Sequence, residues 1–162
     1  MLSFDVSPLL KAPLGKSLTL NVEAGRQLLE DLEVDYLHGS AQAVRAEKGI
    51  FVSGTVESRL RLECGRCLED FGFPVTLELE EMFRMPGTDV RPDAIYTVDE
   101  DFTLDLEPLI RELAWLAVPI RPLCDPECKG LCPHCGANRN AEVCQCEEMR
   151  VDPRLAVLKE LL

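Results

Sequence analysis

The chain has 162 residues, with 17 Lys and Arg against 29 Asp and Glu, a formal net charge of −12, 46% hydrophobic and 28% charged residues. That length suffices for one domain with a buried core, and the balance argues against disorder and against gripping nucleic acid by whole-molecule charge. Apolar runs fall far below the ~20 residues that span a bilayer. The opening MLSFDVSPLL has no basic start and no long apolar stretch, so the expectation is a cytoplasmic chain without signal peptide or membrane segment.

Leu18, Leu20 and Val22 alternate with Ser17, Thr19 and Asn21, and Leu32, Val34 and Tyr36 alternate with Glu33 and Asp35. A period of two predicts strands in both places, with a short helix over Arg26–Glu30 between them. Ala41–Ala46, ahead of Lys48-Gly49, predicts another strand. The clearest alternation follows: Val52, Val56, Leu60 and Leu62 share one parity, and Ser53, Thr55, Glu57, Arg59, Arg61 and Glu63 the other. That is a half-buried strand with a wet face. Cys64-Gly65-Arg66-Cys67 interrupts it before Val75, Leu77 and Leu79 alternate with Thr76, Glu78 and Glu80, so this C-x2-C falls in a turn of an antiparallel sheet.

The stretch from Met85 to Val90 predicts a surface loop, and Ile95–Val98 a further short strand. Asp105 is suited to cap a helix whose Leu106, Leu109, Ile110, Leu113 and Ala117 recur at helical spacing, with Pro108 in its first turn and Pro119 marking its end. The simplest role for this helix is packing on the sheet. After Pro122 the composition turns to Cys, Pro, Gly and Asn as far as Cys146, too poor in apolar residues to make a core. Asp152-Pro153-Arg154-Leu155 then opens a terminal helix with a stripe of Leu155, Leu158 and Leu162. The fold expected is α+β: an antiparallel β-sheet body with one long packing helix over residues 1–122, a Cys-rich zinc-binding segment docked on it at 123–150, and a short C-terminal helix at 151–162.

The eight cysteines form four close pairs: Cys64/Cys67, Cys124/Cys128, Cys132/Cys135 and Cys144/Cys146. Such pairs offer two sulfurs to one ion and are poorly placed to bridge each other, so metal is the better reading than a disulfide framework. Zinc takes four ligands in a tetrahedron and suits thiolate. Cys132-Pro133-His134-Cys135-Gly136 carries the strongest turn, with Gly136 free to adopt positive φ, and Cys144-Gln145-Cys146 offers an i, i+2 pair. The expectation is two structural Zn2+ ions, one on Cys64, Cys67, Cys124 and Cys128 and one on Cys132, Cys135, Cys144 and Cys146. A crossed pairing, such as Cys64 and Cys67 with Cys132 and Cys135, and one site plus free thiols remain as alternatives.

Rival chemistries are weaker. A strand pattern, not a helix, follows Cys64-Gly65-Arg66-Cys67, which disfavours a dithiol oxidoreductase. A closed four-sulfur shell leaves no place for a catalytic water. A zinc–thiolate switch that releases metal on oxidation is the rival expectation that the cysteine cluster allows. His134 is expected to face solvent and His38 to lie in a turn. Arg59, Arg61, Arg66, Lys129 and Arg139 are candidate contacts to a partner or to RNA, against the simpler expectation that Arg59 and Arg61 pair with Glu57, Glu63, Glu78 or Glu80. Phosphate loops and nucleophile elbows are absent from the sequence.

Cys64-Gly65-Arg66-Cys67-Leu68-Glu69, the run Cys128-Lys129-Gly130-Leu131-Cys132-Pro133-His134-Cys135-Gly136-Ala137-Asn138-Arg139-Asn140, and Asp152-Pro153-Arg154-Leu155 together resemble YceD-type large ribosomal RNA subunit accumulation proteins of bacteria and plastids. Arg139 stands where such a run commonly has Leu. The resemblance implies a role in 23S rRNA accumulation and large-subunit assembly, without supplying a catalytic residue. With no enzyme constellation and a strongly acidic chain, the expectation is a non-enzymatic biogenesis factor that touches large-subunit precursors or the mostly basic ribosomal proteins. Direct rRNA contact through the arginines is the alternative.

Overall fold

A computed structural model describes residues 2–85 and 96–146. The expected loop over 86–90, Ile95 and the expected C-terminal helix over 151–162 lie outside them. The elements run β1 (Ser3–Asp5), α1 (Ser7–Leu10), β2 (Ser17–Ala24), β3 (Gln27–Leu29), β4 (Leu32–Ala46), β5 (Gly49–Glu63), β6 (Asp70–Arg84), β7 (Thr103–Asp105) and α2 (Glu107–Ala117). An antiparallel sheet in the order β2-β4-β5-β6, with β3 beside β4, forms the body, and β1 pairs with β7 in a separate ribbon. Among the described residues, no helix is long and apolar enough to cross a membrane.

The sheet separates its two faces by parity. Val22, Gly39, Val56 and Leu77 align across the four strands, and the three side chains among them are buried. The neighbouring row is Asn21, Ser40, Thr55 and Glu78, all exposed. Burying one row while wetting the next is what the alternating sequence dictates. The two stretches read as separate strands, around 32–36 and 41–46, are one 15-residue strand. A bulge joins them: register slips between Val34, opposite Leu60, and Leu37, opposite Ser58. Ser58, buried in the core, donates its hydroxyl to the Tyr36 carbonyl at 2.7 Å and so satisfies the backbone that the bulge releases.

Three local expectations are corrected. Arg26–Glu30 is not helical; Gln27–Leu29 pairs with Leu32–Val34, buries Leu29 and turns at Glu30 with φ 54°. Edge pairing gives those backbone groups partners that a helix of barely one turn would leave open. His38 lies within β4, opposite Glu57, rather than in a turn. Of the expected strand Ile95–Val98, the described part makes only a single parallel bridge, Thr97 to Arg84.

Helix α2 buries Leu109, Ile110 and Ala114 and packs against β6. The Asp105 carboxylate accepts the Glu107 N–H at 3.0 Å, so it serves the first turn from just outside the helix. Asp31 fastens the helix to the β3–β4 turn by accepting from Arg111 Nε at 2.9 Å and Trp115 Nε1 at 3.2 Å. Val118 is extended, as a residue preceding proline tends to be, and ends the helix. The chain then crosses to the β5–β6 turn, where the Gly65 N–H donates to the Pro122 carbonyl at 2.8 Å. That bond seats the cysteine segment against the end of the sheet.

Candidate metal centres

The two C-x2-C turns are folded alike. At the β5–β6 turn the Cys64 N–H donates to the Glu69 carbonyl at 2.9 Å, and the Leu68 N–H to the Cys64 carbonyl at 2.9 Å. In the second turn the Cys132 N–H donates to the Ala137 carbonyl at 2.8 Å, and the Gly136 N–H to the Cys132 carbonyl at 2.9 Å. The residue after the second cysteine is left-handed in both, Leu68 with φ 58° and Gly136 with φ 74°. A glycine takes that conformation freely, whereas the exposed Leu68 adopts it at a steric cost. The turns also touch: the Leu131 N–H donates to the Arg66 carbonyl at 3.1 Å, and a Cβ on Gly130, at φ 68°, would stand 2.9 Å from the same oxygen.

These turns gather the sulfurs into two quartets, Cys64/Cys67/Cys124/Cys128 and Cys132/Cys135/Cys144/Cys146, each with all its Sγ atoms within 4.8 Å of one another. All eight cysteines are free of disulfide bonds. Cys64 and Cys128 lie 3.9 Å apart, and Cys67 and Cys124 3.7 Å. Four sulfurs at ~2.3 Å from a central ion form a tetrahedron with edges of about 3.8 Å, so these separations suit such an ion and are far too long for covalent S–S bonds.

Electrostatics agree with the donor set. The backbone N–H groups of Cys124 and Cys67 lower Cys64 to about 6, and those of Cys135 and His134 lower Cys132 to about 6. Partial desolvation of its sulfur, then the Cys64 sulfur, pushes Cys124 up to about 12, while Cys146 is raised to about 12 by Cys135 and then by partial desolvation, although both residues are exposed overall. Each quartet therefore favours thiolate at one sulfur and thiol at another. A dication supplies the positive charge that lets all four ionise. Each quartet, four thiols among the described residues, fits a soft, structural tetrahedral metal.

The quartets differ in exposure. Cys64, Cys67 and Cys128 are buried and form a small cluster with Phe71 and Leu123, whereas in the second quartet only Cys132 is buried. Sequence reading also missed the residues around the first quartet. The Asn140 side-chain N–H donates to Cys128 Sγ at 3.2 Å, and Asn138 donates to Glu69 at 2.8 Å. The Cys-x2-Cys spacing gives no signal for either; only their place in the asparagine-rich run after Gly136 marks them.

Of the candidate contact residues, Arg66 is engaged internally, donating to the Cys128 carbonyl at 2.7 Å and the Pro126 carbonyl at 3.1 Å. Lys129 and Arg139 are exposed beside it, the Arg139 N–H donating to the Gly130 carbonyl. Arg59 and Arg61 lie on β5, opposite Pro74 and Gly72. Among the described residues, no ion pair joins either of them to Glu57, Glu63, Glu78 or Glu80. His134 is exposed.

An antiparallel sheet whose end turn and post-helical segment converge on two four-sulfur clusters defines a cysteine-knuckle protein with paired candidate metal centres. The family described as large ribosomal RNA subunit accumulation protein YceD matches residues 52–162, and the chain belongs to it. It is 38% identical to an uncharacterised protein of Mycobacterium tuberculosis over 120 residues, 71% of this chain and 56% of that one. An uncharacterised protein of Mycobacterium leprae is 30% identical over 169 residues, 98% of this chain and 76% of its own. Large ribosomal RNA subunit accumulation protein YCED homolog 1, chloroplastic, of Arabidopsis thaliana is 27% identical over 179 residues, covering 90% and 52% of the two chains. The chain thus spans just over half the length of the first of these relatives. No solved structure matches it significantly.

Proposed function

We propose that this protein is a non-enzymatic ribosome-biogenesis factor that supports 23S rRNA accumulation and large-subunit assembly in the cytoplasm, with two structural zinc ions. The observation carrying this reading is that the family match over residues 52–162 takes in all eight cysteines. The name of the Arabidopsis relative, a large ribosomal RNA subunit accumulation protein, supports it further. In this reading Cys64, Cys67, Cys124 and Cys128 hold one Zn2+, and Cys132, Cys135, Cys144 and Cys146 the other. The body over 1–122 carries the docked segment 123–150, and 151–162 forms a terminal helix. The metals hold a binding surface in shape, and Arg66, Lys129 and Arg139, with Arg59 and Arg61 on β5, offer positive charge on an otherwise acidic chain. The partner is a large-subunit precursor or its basic ribosomal proteins.

Affinity capture from lysate at low salt tests this. Enrichment of large-subunit precursors or ribosomal proteins by the wild-type chain, and its loss in a Cys64→Ser/Cys67→Ser variant, is the expected result; no enrichment by either counts against the proposal. A second reading follows from the exposed Cys135 and Cys146: mild hydrogen peroxide oxidises thiolates of the second quartet pairwise to disulfide and releases its ion. Zinc release before any loss of the first centre supports this redox response, and thiols that resist peroxide in the folded chain refute it.

A further inference from the structure

Asn140 lies outside the eight sulfurs but touches one of them, and its place in the chain ties the two quartets together. Its Nδ2 donates to Cys128 Sγ at 3.2 Å, while its Oδ1 accepts the Lys129 N–H at 2.7 Å. The side chain thus touches both the sulfur of Cys128 and the backbone N–H that follows it. Asn140 is itself held by Asn138, whose Oδ1 accepts the Asn140 N–H at 2.9 Å and the Asn140 Nδ2 at 2.9 Å. Asn138 in turn donates to Glu69 at 2.8 Å, next to the first C-x2-C turn, and bridges to Leu131 ahead of the second. The residues that serve the first quartet therefore lie on the stretch between Gly136 and Cys144, which joins the two ligand pairs of the second.

This placement has a thermodynamic consequence. An ion in the second quartet fixes both ends of that stretch and so prepays the ordering of Asn140 over Cys128. Four thiolates around one dication retain a net charge of −2, and each N–H donor to sulfur offsets part of it. We propose that the two metal centres bind cooperatively through Asn140, a positioning residue that transmits occupancy of the second quartet to the affinity of the first. Coupling of this kind is reciprocal. As zinc becomes scarce, both centres empty over a narrower concentration range than two independent sites would, and the segment closes or opens as a unit. The inference rests on the reading of both quartets as metal centres.

The test uses the full chain, loaded with Zn2+ or Co2+ and competed with a graded chelator. Total metal gives the stoichiometry, and thiolate-to-cobalt charge-transfer absorption reports the first centre alone in a Cys132→Ser/Cys135→Ser background. In the chain with both centres, Asn140→Ala is expected to lower by roughly 10- to 100-fold the chelator concentration that removes the more weakly held ion, and to broaden the two-ion release. Emptying the second centre by the paired Cys→Ser change is expected to weaken the first by a similar factor, with little further loss on adding Asn140→Ala. Equal effects of Asn140→Ala in both backgrounds, or none in either, overturn the coupling. Should the paired Cys→Ser chain fail to fold, Asn140→Asp decides: it keeps the acceptor for Lys129 but replaces the N–H donor to sulfur with a charge. Two-ion release as steep as in wild type overturns the proposal, and a shallower release curve, with two ions still bound at saturating metal, upholds it. A wild-type chain that takes up no metal instead sinks the metal reading and the coupling with it, whereas two ions bound with unaltered variants sink the coupling alone.

Discussion

At Gly130 the chain leading into the second cysteine turn passes close against the first, and only the absence of a side chain permits it. Its φ of 68° is left-handed, and an added Cβ would stand 2.9 Å from the Arg66 carbonyl, a backbone atom that cannot swing away. Gly130→Ala therefore combines backbone strain with a clash, and about 1–3 kcal/mol of destabilisation is expected from such a combination. The measurement is the chelator concentration that strips metal from the chain together with the thermal midpoint; both fall in the variant. Gly136, with φ 74° but nothing within 4 Å of its added Cβ, supplies the control, since Gly136→Ala meets the strain without the clash and loses less. In the sheet, Ser58→Ala leaves the bulged Tyr36 carbonyl without its 2.7 Å donor and is expected to cost about 1–3 kcal/mol in equilibrium denaturation. The cysteines were legible as four pairs because a two-ligand turn needs short spacing. Ser58 and Asn140 were not legible, because a hydroxyl on the apolar parity of β5 and an amide in a loop acquire their roles only through contacts distant in sequence.

The strands were legible where one face is wet, as in β5 and β6, because burial then imposes alternation on the residues themselves. Continuity was not: the bulge at Val34–Leu37 shifts the phase of β4, so one strand reads as two. The misread at Arg26–Glu30 has a different origin: a strand of three residues is too short to display a period. Helix α2 was readable from its apolar spacing, but at 11 residues it is shorter than the long packing helix expected, and its clamp was not readable. Asp31 accepts from Trp115 and Arg111, and those hydrogen bonds, the Trp115 bond first, hold its carboxyl below the usual carboxylate range. A depressed acid stabilises the fold above its unfolded value of about 3.9, and the contribution is lost as pH falls through the lower folded value. Urea midpoints measured downward from pH 5 are therefore expected to fall, and Asp31→Asn to remove that part of the fall while lowering the midpoint at neutral pH. An Asp31→Asn profile that retains the full acid-side slope places the slope on other carboxylates.

The molecule as a whole divides by what holds each part in place. The sheet, the β1–β7 ribbon and α2 share one apolar cluster, reaching from Leu2 and Leu20 through Val56, Leu77 and Phe83 to Ile110 and Ala114. Among the described residues, the segment after α2 adds only the partly buried Val118 to it, and its buried Cys128 packs instead with Cys64, Cys67, Phe71 and Leu123. Ordering backbone costs about 1–2 kcal/mol per residue, which so few apolar contacts do not offset. A structural zinc in a small peptide supplies on the order of 10–16 kcal/mol, enough to decide whether such a segment is folded. Chelation is therefore expected to separate the two parts. Hydrogen exchange of the metal-stripped chain should lose protection over 123–146 and at the Cys64–Leu68 turn, while amides in the central rows of β2, β4, β5 and β6 keep theirs, because their partners are other strands. Readdition of Zn2+ should restore the lost protection, and a Cys132→Ser/Cys135→Ser chain should restore it only in part. Protection over 123–146 that survives complete removal of metal would mean that protein contacts alone order the segment, and a metal-dependent binding surface would then have no physical basis.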